Sequence, residues 1–142
     1  MNKTFSTLKN YSHKVGLNYW HIEFATKYRY NMFSKFKQKN LVSACIRKVA
    51  KKHHIQIHIL TVMPEHVHVM VTLPRGMLDS KALMLLKGGS AYLFFKHHEK
   101  SRLRLPKGHL WSAGGCAVTV GYNEYITVEK YIHNQESHHA EV

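Results

Sequence analysis

Residues 55–73 read IQIHILTVMPEHVHVMVTL, and this stretch decides the fold. Two runs rich in β-branched residues flank Pro64-Glu65, a pair suited to a tight connection, so the spacing predicts an antiparallel strand pair. Along a strand, side chains two apart share a face. Val67, Val69 and Val71 are therefore expected on the core side. His66 and His68 then leave together on the opposite face, with Met70 and Thr72. A pair of core histidines satisfied by hydrogen bonds would more naturally split between faces. Two imidazoles held side by side make half of a metal site. The alternative, two solvent-facing histidines on an open sheet, stays open in a chain that contains 13 of them.

Further periodicities extend outward from this pair. GLNYWHIEFAT (16–26) alternates, with Trp20, Ile22 and Phe24 on one face and Tyr19, His21 and Glu23 on the other, which predicts a strand with one buried face. FKQKNLVSACIRKVAKKHH (36–54) carries Val42, Cys45, Ile46 and Val49 at helical spacing with lysines opposite. DSKALMLLKGGSAYLFFKHH (79–98) reads as a helix capped by Asp79 or Ser80. Its Gly88-Gly89 pair marks a kink or a close approach by another part of the chain. A basic loop, KSRLRLPKGH (100–109), precedes WSAGGCAVTVGY (111–122), where Cys116, Val118 and Val120 share one face of a fourth strand. In TVEKYIHNQESHH (127–139), Thr127 caps a short terminal helix. The order β-α-β-β-α-β plus one helix predicts an α+β fold of ferredoxin-like, RRM-like type. Its antiparallel sheet would have helices on one face and the other face free for a site.

Composition bounds the function. A chain of 142 residues, 44% hydrophobic and 11% aromatic, suits one domain over 1–142, with 1–14 a flexible basic terminus. No apolar run approaches the roughly 20 residues of a membrane span, and MNKTFSTLKNYSHK (1–14) lacks the apolar segment of a secretory signal. These features give the expectation of a cytoplasmic protein in which Cys45 and Cys116 are free, buried thiols. Lys plus Arg number 21 against 8 Asp plus Glu, a formal net charge of +13. The excess is spread along the chain, which predicts a folded basic surface and a polyanionic partner, nucleic acid first. Lys87, Arg75, Arg102 and Arg104 are candidates for phosphate contacts, against the plainer reading that each is generic surface charge.

The cysteines lack metal-knuckle spacing, so a catalytic ion with open positions fits the histidine pair better than a closed structural site. YIHNQ (131–135) puts Tyr131 and Gln135 four apart on one helical face. Glutamine offers a carbonyl ligand and tyrosine a nucleophilic phenol. On residues alone, the plainer account is favoured, with Tyr131 a core aromatic that packs the helix down and Gln135 a surface residue. His138 and His139, in the terminal tail, are not expected to bind metal.

The H-U-H strand, the YIxNQ helix and the small basic chain together resemble the single-tyrosine HUH transposases. These are the enzymes of the smallest insertion sequences, which move as single-stranded DNA, and they include the REP-associated tyrosine transposases. TKYRYNMF (26–33), MPEHVHVMV (63–71), LKGGSAYLFF (86–95), WSAGGCAVTVG (111–121) and VEKYIHNQ (128–135) look like family blocks in the family's order. The resemblance spans about Val15 to Gln135. Two positions depart from it: Glu65 stands where Asp is common, and Cys116 where an aromatic is frequent. The resemblance implies that Tyr131 is the nucleophile, giving a 5′-phosphotyrosine and a free 3′ hydroxyl. His66, His68 and Gln135 would hold Mg²⁺ or Mn²⁺. It also implies single-stranded DNA with hairpins at the element ends as substrate, and a homodimer whose sites are shared between subunits. No Walker-type glycine loop is present, and no nucleotide cofactor is expected. Three other classes fit the sequence less well. A non-catalytic RRM-like module would need sheet aromatics for stacking. Replication initiators and relaxases run larger. A two-metal carboxylate enzyme would need an acidic cluster that the eight acidic residues do not suggest.

Overall fold

Residues 18–120 are described in a computed structural model of the protein. The segments 1–14 and 127–139, and with them Tyr131 and Gln135, lie outside the described residues. Strand β1 (Tyr19–Ala25), helix α1 (Phe36–Lys52), β2 (Gln56–Val62), β3 (His66–Thr72), helix α2 (Asp79–His97) and β4 (Cys116–Thr119) follow in that order. Short 3-10 turns occur at Lys27–Arg29 and Glu99–Arg104. The sheet order is β2-β3-β1-β4, antiparallel throughout, which is the ferredoxin-like arrangement expected from the element order. No helix of the described residues is long and apolar enough to cross a membrane.

The alternation works as read. Ile22, Phe24, Val67, Val69 and Val71 form one sheet face and join Val42, Ile46 and Val49 of α1 and Ala82, Leu86 and Phe94 of α2 in one core. Pro64-Glu65 makes the tight link between β2 and β3, closed by the bond from Met63 N–H to the His66 carbonyl at 2.8 Å. The glycine pair in α2 has two different causes. A Cβ on Gly89 would stand 2.7 and 2.8 Å from the two Cγ atoms of Val49, so α1 and α2 approach too closely there for any side chain. A Cβ on Gly88 would meet nothing within 4 Å. Gly89→Ala is therefore expected to destabilise by about 1–3 kcal/mol through overpacking against a stiff β-branched residue. Gly88→Ala should stabilise by up to about 1 kcal/mol, because the backbone loses less entropy on folding. Urea unfolding of the two proteins checks this, and a Gly89→Ala protein as stable as wild type would contradict the packing.

The structure departs from the expectations in three places. The cap position of α2 is Leu78, in extended conformation and with no side-chain cap bond. Asp79 is already helical, where its charge still suits the positive end of the helix. Cys45 is buried but Cys116 is exposed, because it opens a short edge strand and faces away from the core. The second sheet face is not open along its whole length, since Tyr19, Ile59 and Met70 on it are buried. The face is more open at the end of the sheet that carries Glu23 and His66 and along the β4 edge, where Cys116 and Val118 are exposed.

Candidate metal centre and its basic surroundings

The strand register sets the second face out in rows. Thr61 of β2, His68 of β3, Glu23 of β1 and Cys116 of β4 are successive partners across the sheet. One step along, Ile59, Met70, His21 and Val118 make the next row, and His66 pairs with Ala25 at the open end. A carboxylate thus lies directly beside His68. Glu23, His66 and His68 each offer one ligand atom, and the three atoms lie within 4.8 Å of one another.

Each imidazole is oriented by a neighbour. The Nε2 atoms of His66 and His68 face each other at 3.0 Å. His66 Nδ1 is 2.8 Å from a carboxylate oxygen of Glu65. An ionised carboxylate only accepts, so His66 carries its proton on Nδ1 and presents the Nε2 lone pair inward. Burial pushes the Glu65 carboxyl up, but the His66 hydrogen bond, a backbone hydrogen bond and the charges of His66 and Arg29 hold it below the usual carboxylate range. His68 Nδ1 lies 3.2 Å from His21 Nε2, and the two rings stack at 5.4 Å with 9° between their planes. His21 reaches His68 diagonally across the strand pair. A carboxylate or ring partner behind each ligand is the outer shell that metal-binding histidines use to fix their tautomer.

The residues present fit a divalent ion. With no ion between them, the two Nε2 atoms can share one proton as a hydrogen bond. With one, His68 would move its proton to Nδ1, where His21 can accept it, freeing a second inward lone pair. The Thr61 hydroxyl, in the same row as His68, is buried with no hydrogen-bond partner among the described residues.

Burial, partly offset by the Glu23 carboxylate, lowers the His68 pKa to about 4, with the His66 and His21 charges adding to the fall. Burial also lowers His21 and His58. These rings fold as neutral groups. Below pH 6.5 the unfolded chain binds protons that the folded one refuses, so stability falls as pH drops from about 6.5 towards about 4. The full effect of His68 alone is on the order of 3 kcal/mol. Thermal melts of the metal-free protein from pH 7.5 to pH 4 are expected to trace this loss, and a flat profile would contradict it.

The basic candidates separate into groups. Lys87 and Arg102 line an open groove of about 920 Å³ with Lys27, Lys96, Tyr92 and Trp111. Lys87 directs its ammonium at the carbonyls of Ser112 (2.7 Å) and Gly114, pinning the WSAGG loop, and burial lowers its pKa. That leaves one of its three protons for a phosphate. Trp111 anchors the same loop by donating to the Ser90 hydroxyl at 3.0 Å and packing edge-on against Phe24. Arg104 lies over the Tyr30 ring at 4.4 Å. Arg75 is exposed, beyond the end of β3 remote from His66.

The structure therefore brings His66 and His68 together as read from the sequence. It adds Glu23, His21 and Glu65, whose roles depend on which residues lie opposite across strands. The alternation that put His21 and Glu23 on one face was the available signal, and register was the missing part.

Fold and comparison together make the chain a transposase. It belongs to the IS200-like transposase family, whose profile matches residues 14–135. Over 116 residues it is 27% identical to the ISDra2 transposase TnpA of Deinococcus radiodurans, covering 82% of each chain. It is equally 27% identical to the transposase of insertion sequence element IS200 of Salmonella typhimurium, covering 82% of this chain and 75% of that one. Among solved structures, a candidate transposase of Deinococcus radiodurans R1 matches with TM-score 0.66 and 26% identity, over 83% of this chain and 90% of that one. A REP-associated tyrosine transposase bound to a REP hairpin matches in fold, with TM-score 0.63 and 18% identity over 91% and 72% of the two chains.

Proposed function

We propose that the protein cleaves and rejoins single-stranded DNA at the ends of an insertion sequence, with Tyr131 as nucleophile. The observation that carries this reading is the inward-facing Nε2 pair of His66 and His68, backed by Glu65 and His21, with Glu23 alongside. His66, His68 and Gln135 are the proposed ligands of a divalent ion, Mg²⁺ or Mn²⁺, and Glu23 is within reach as a further oxygen donor. Imidazole donors suit Mn²⁺ better than Mg²⁺, and each oxygen donor moves the preference back. The bound ion would polarise the scissile phosphate and offset its developing charge.

The phenol oxygen of Tyr131 attacks phosphorus and loses its proton. The bond from phosphorus to the 3′ oxygen breaks, and that oxygen leaves as a protonated 3′ hydroxyl. The strand's 5′ phosphate is then joined to Tyr131, and attack by another 3′ hydroxyl reverses the step and reseals DNA. The phosphoester link conserves the bond, so no nucleotide cofactor is required. The substrate proposed is single-stranded DNA that folds into hairpins at the element ends. The +13 charge supplies phosphate affinity. The working unit proposed is a homodimer with composite sites, His66 and His68 from one subunit and Tyr131 and Gln135 from the other.

The test uses labelled single strands taken from the ends of the protein's own element. A denaturant-stable adduct that needs Mg²⁺ or Mn²⁺ and vanishes with EDTA is expected. Tight binding of the same strands without any adduct would favour the non-catalytic binding module instead.

A further inference from the structure

The turn that follows β1, TKYRY (26–30), carries chemistry the proposed reaction does not use. Tyr28 (φ 58°) and Arg29 (φ 54°) are successive non-glycine residues in the left-handed region. Such a conformation persists only where the surroundings impose it, and it concentrates at working sites. Here the buried Thr26 imposes it. Its hydroxyl points at the carbonyls of Tyr30 (2.7 Å) and Glu65 (3.2 Å), and its N–H donates to Glu65 at 2.9 Å. The next N–H, of Lys27, donates to the Leu110 carbonyl at 2.9 Å.

The outcome is an aromatic ring turned to solvent. Tyr28 is 68% exposed, with the Lys27 ammonium 5.4 Å from its ring centre and the Tyr30 ring 5.4 Å away, itself beneath Arg104. The turn is bonded to Glu65, the residue that orients His66, and the charge of Arg29 acts on the Glu65 carboxylate. On its other side, Lys27 lines the basic groove with Lys96, Arg102 and Lys107. The turn thus bridges the histidine pair and the groove.

An exposed ring set among cations matches an unpaired base flanked by its own phosphates. Bases inside a duplex are already stacked and cannot reach it. We propose that Tyr28 is a stacking platform for an unpaired base close to the scissile phosphodiester, with Arg29 and Lys27 gripping the phosphates on either side. This deepens the proposed function and rests on it for the identity of the strand. It makes Tyr28 a positioning residue that distinguishes single strands from duplex.

The test is binding of a single strand of roughly 12 nucleotides carrying one 2-aminopurine, and of the same sequence as a duplex. Anisotropy reports affinity and 2-aminopurine quenching reports stacking. Tyr28→Asn keeps a residue that tolerates the left-handed backbone but removes the ring. Roughly 10-fold weaker single-strand binding is expected, with quenching lost, the salt dependence unchanged and duplex binding unaffected. Tyr28→Phe should behave as wild type. If Tyr28→Asn does not fold, Tyr28→Gly reads the same loss. Unchanged affinity and quenching in a folded ring-less variant would overturn the platform, as would an equal loss on duplex. The two readings fail separately. Tyr28-dependent stacking in a protein that forms no adduct refutes the proposed reaction alone, and an adduct with Tyr28-independent binding refutes the platform alone.

Discussion

His66→Ala and His68→Ala proteins are expected to bind single-stranded DNA about as tightly as wild type and to cleave none of it. Affinity arises chiefly from phosphates meeting a surface of net charge +13, and neither histidine carries that charge. Cleavage depends on offsetting the charge that develops on the scissile phosphate, worth several kcal/mol, so a loss of at least about 1000-fold is expected. His68 is 4% exposed and bonded to His21, so its alanine variant also loses some packing and some stability. A thermal melt separates that effect from chemistry, and the more exposed His66 gives the cleaner readout. Binding of Mn²⁺ measured by calorimetry should disappear with either substitution. Wild-type binding should weaken steeply with added salt. Cleavage that survives in a folded His66→Ala protein would remove the histidine pair from the mechanism.

The second large effect concerns where Tyr131 comes from. Tyr131→Phe removes one oxygen and should abolish adduct formation entirely. The sequence of 127–139 gives the expectation of a short helix, and a helix of that length would need a sheet to dock on. Docking on a partner's sheet is a low-cost route to a dimer. Co-expressing Tyr131→Phe with His66→Ala/His68→Ala and purifying the mixed dimer brings two dead chains together. With composite sites, one site of that dimer is whole and activity returns to about half of the wild-type level. With sites built inside single chains, every site lacks a part. An inactive, verified heterodimer would overturn the sharing between subunits and leave the chemistry standing.

Much of this was legible from residues 55–73 and their surroundings, because a period of two fixes which side chains share a face. Val67, Val69 and Val71 went to the core and the two histidines to the other side on that ground alone. Faces do not give neighbours. Glu23 stands beside His68, and His21 stacks on it, only because β1 pairs with β3 in one particular register. The irregularity between Ile57 and Ile59, which turns His58 towards Thr72 at 2.7 Å, leaves no mark in the alternation either. Leu78 at the cap of α2 was missed because Asp79 and Ser80 are good caps by type, and the helix begins one residue earlier than they imply. The left-handed turn at Tyr28 had no glycine or asparagine to announce it, since long-range bonds to Thr26 impose it.

The central claim, a tyrosine joined to the 5′ phosphate of a cleaved single strand, is tested most directly by mass spectrometry of the protease-digested adduct. The account predicts a nucleotide linked through its 5′ phosphate to the peptide that contains Tyr131, formed only with Mg²⁺ or Mn²⁺, beside a released fragment ending in a 3′ hydroxyl. A nucleotide on any other residue would contradict it, and so would cleavage that leaves a free 5′ phosphate with no peptide attached, the product of attack by water.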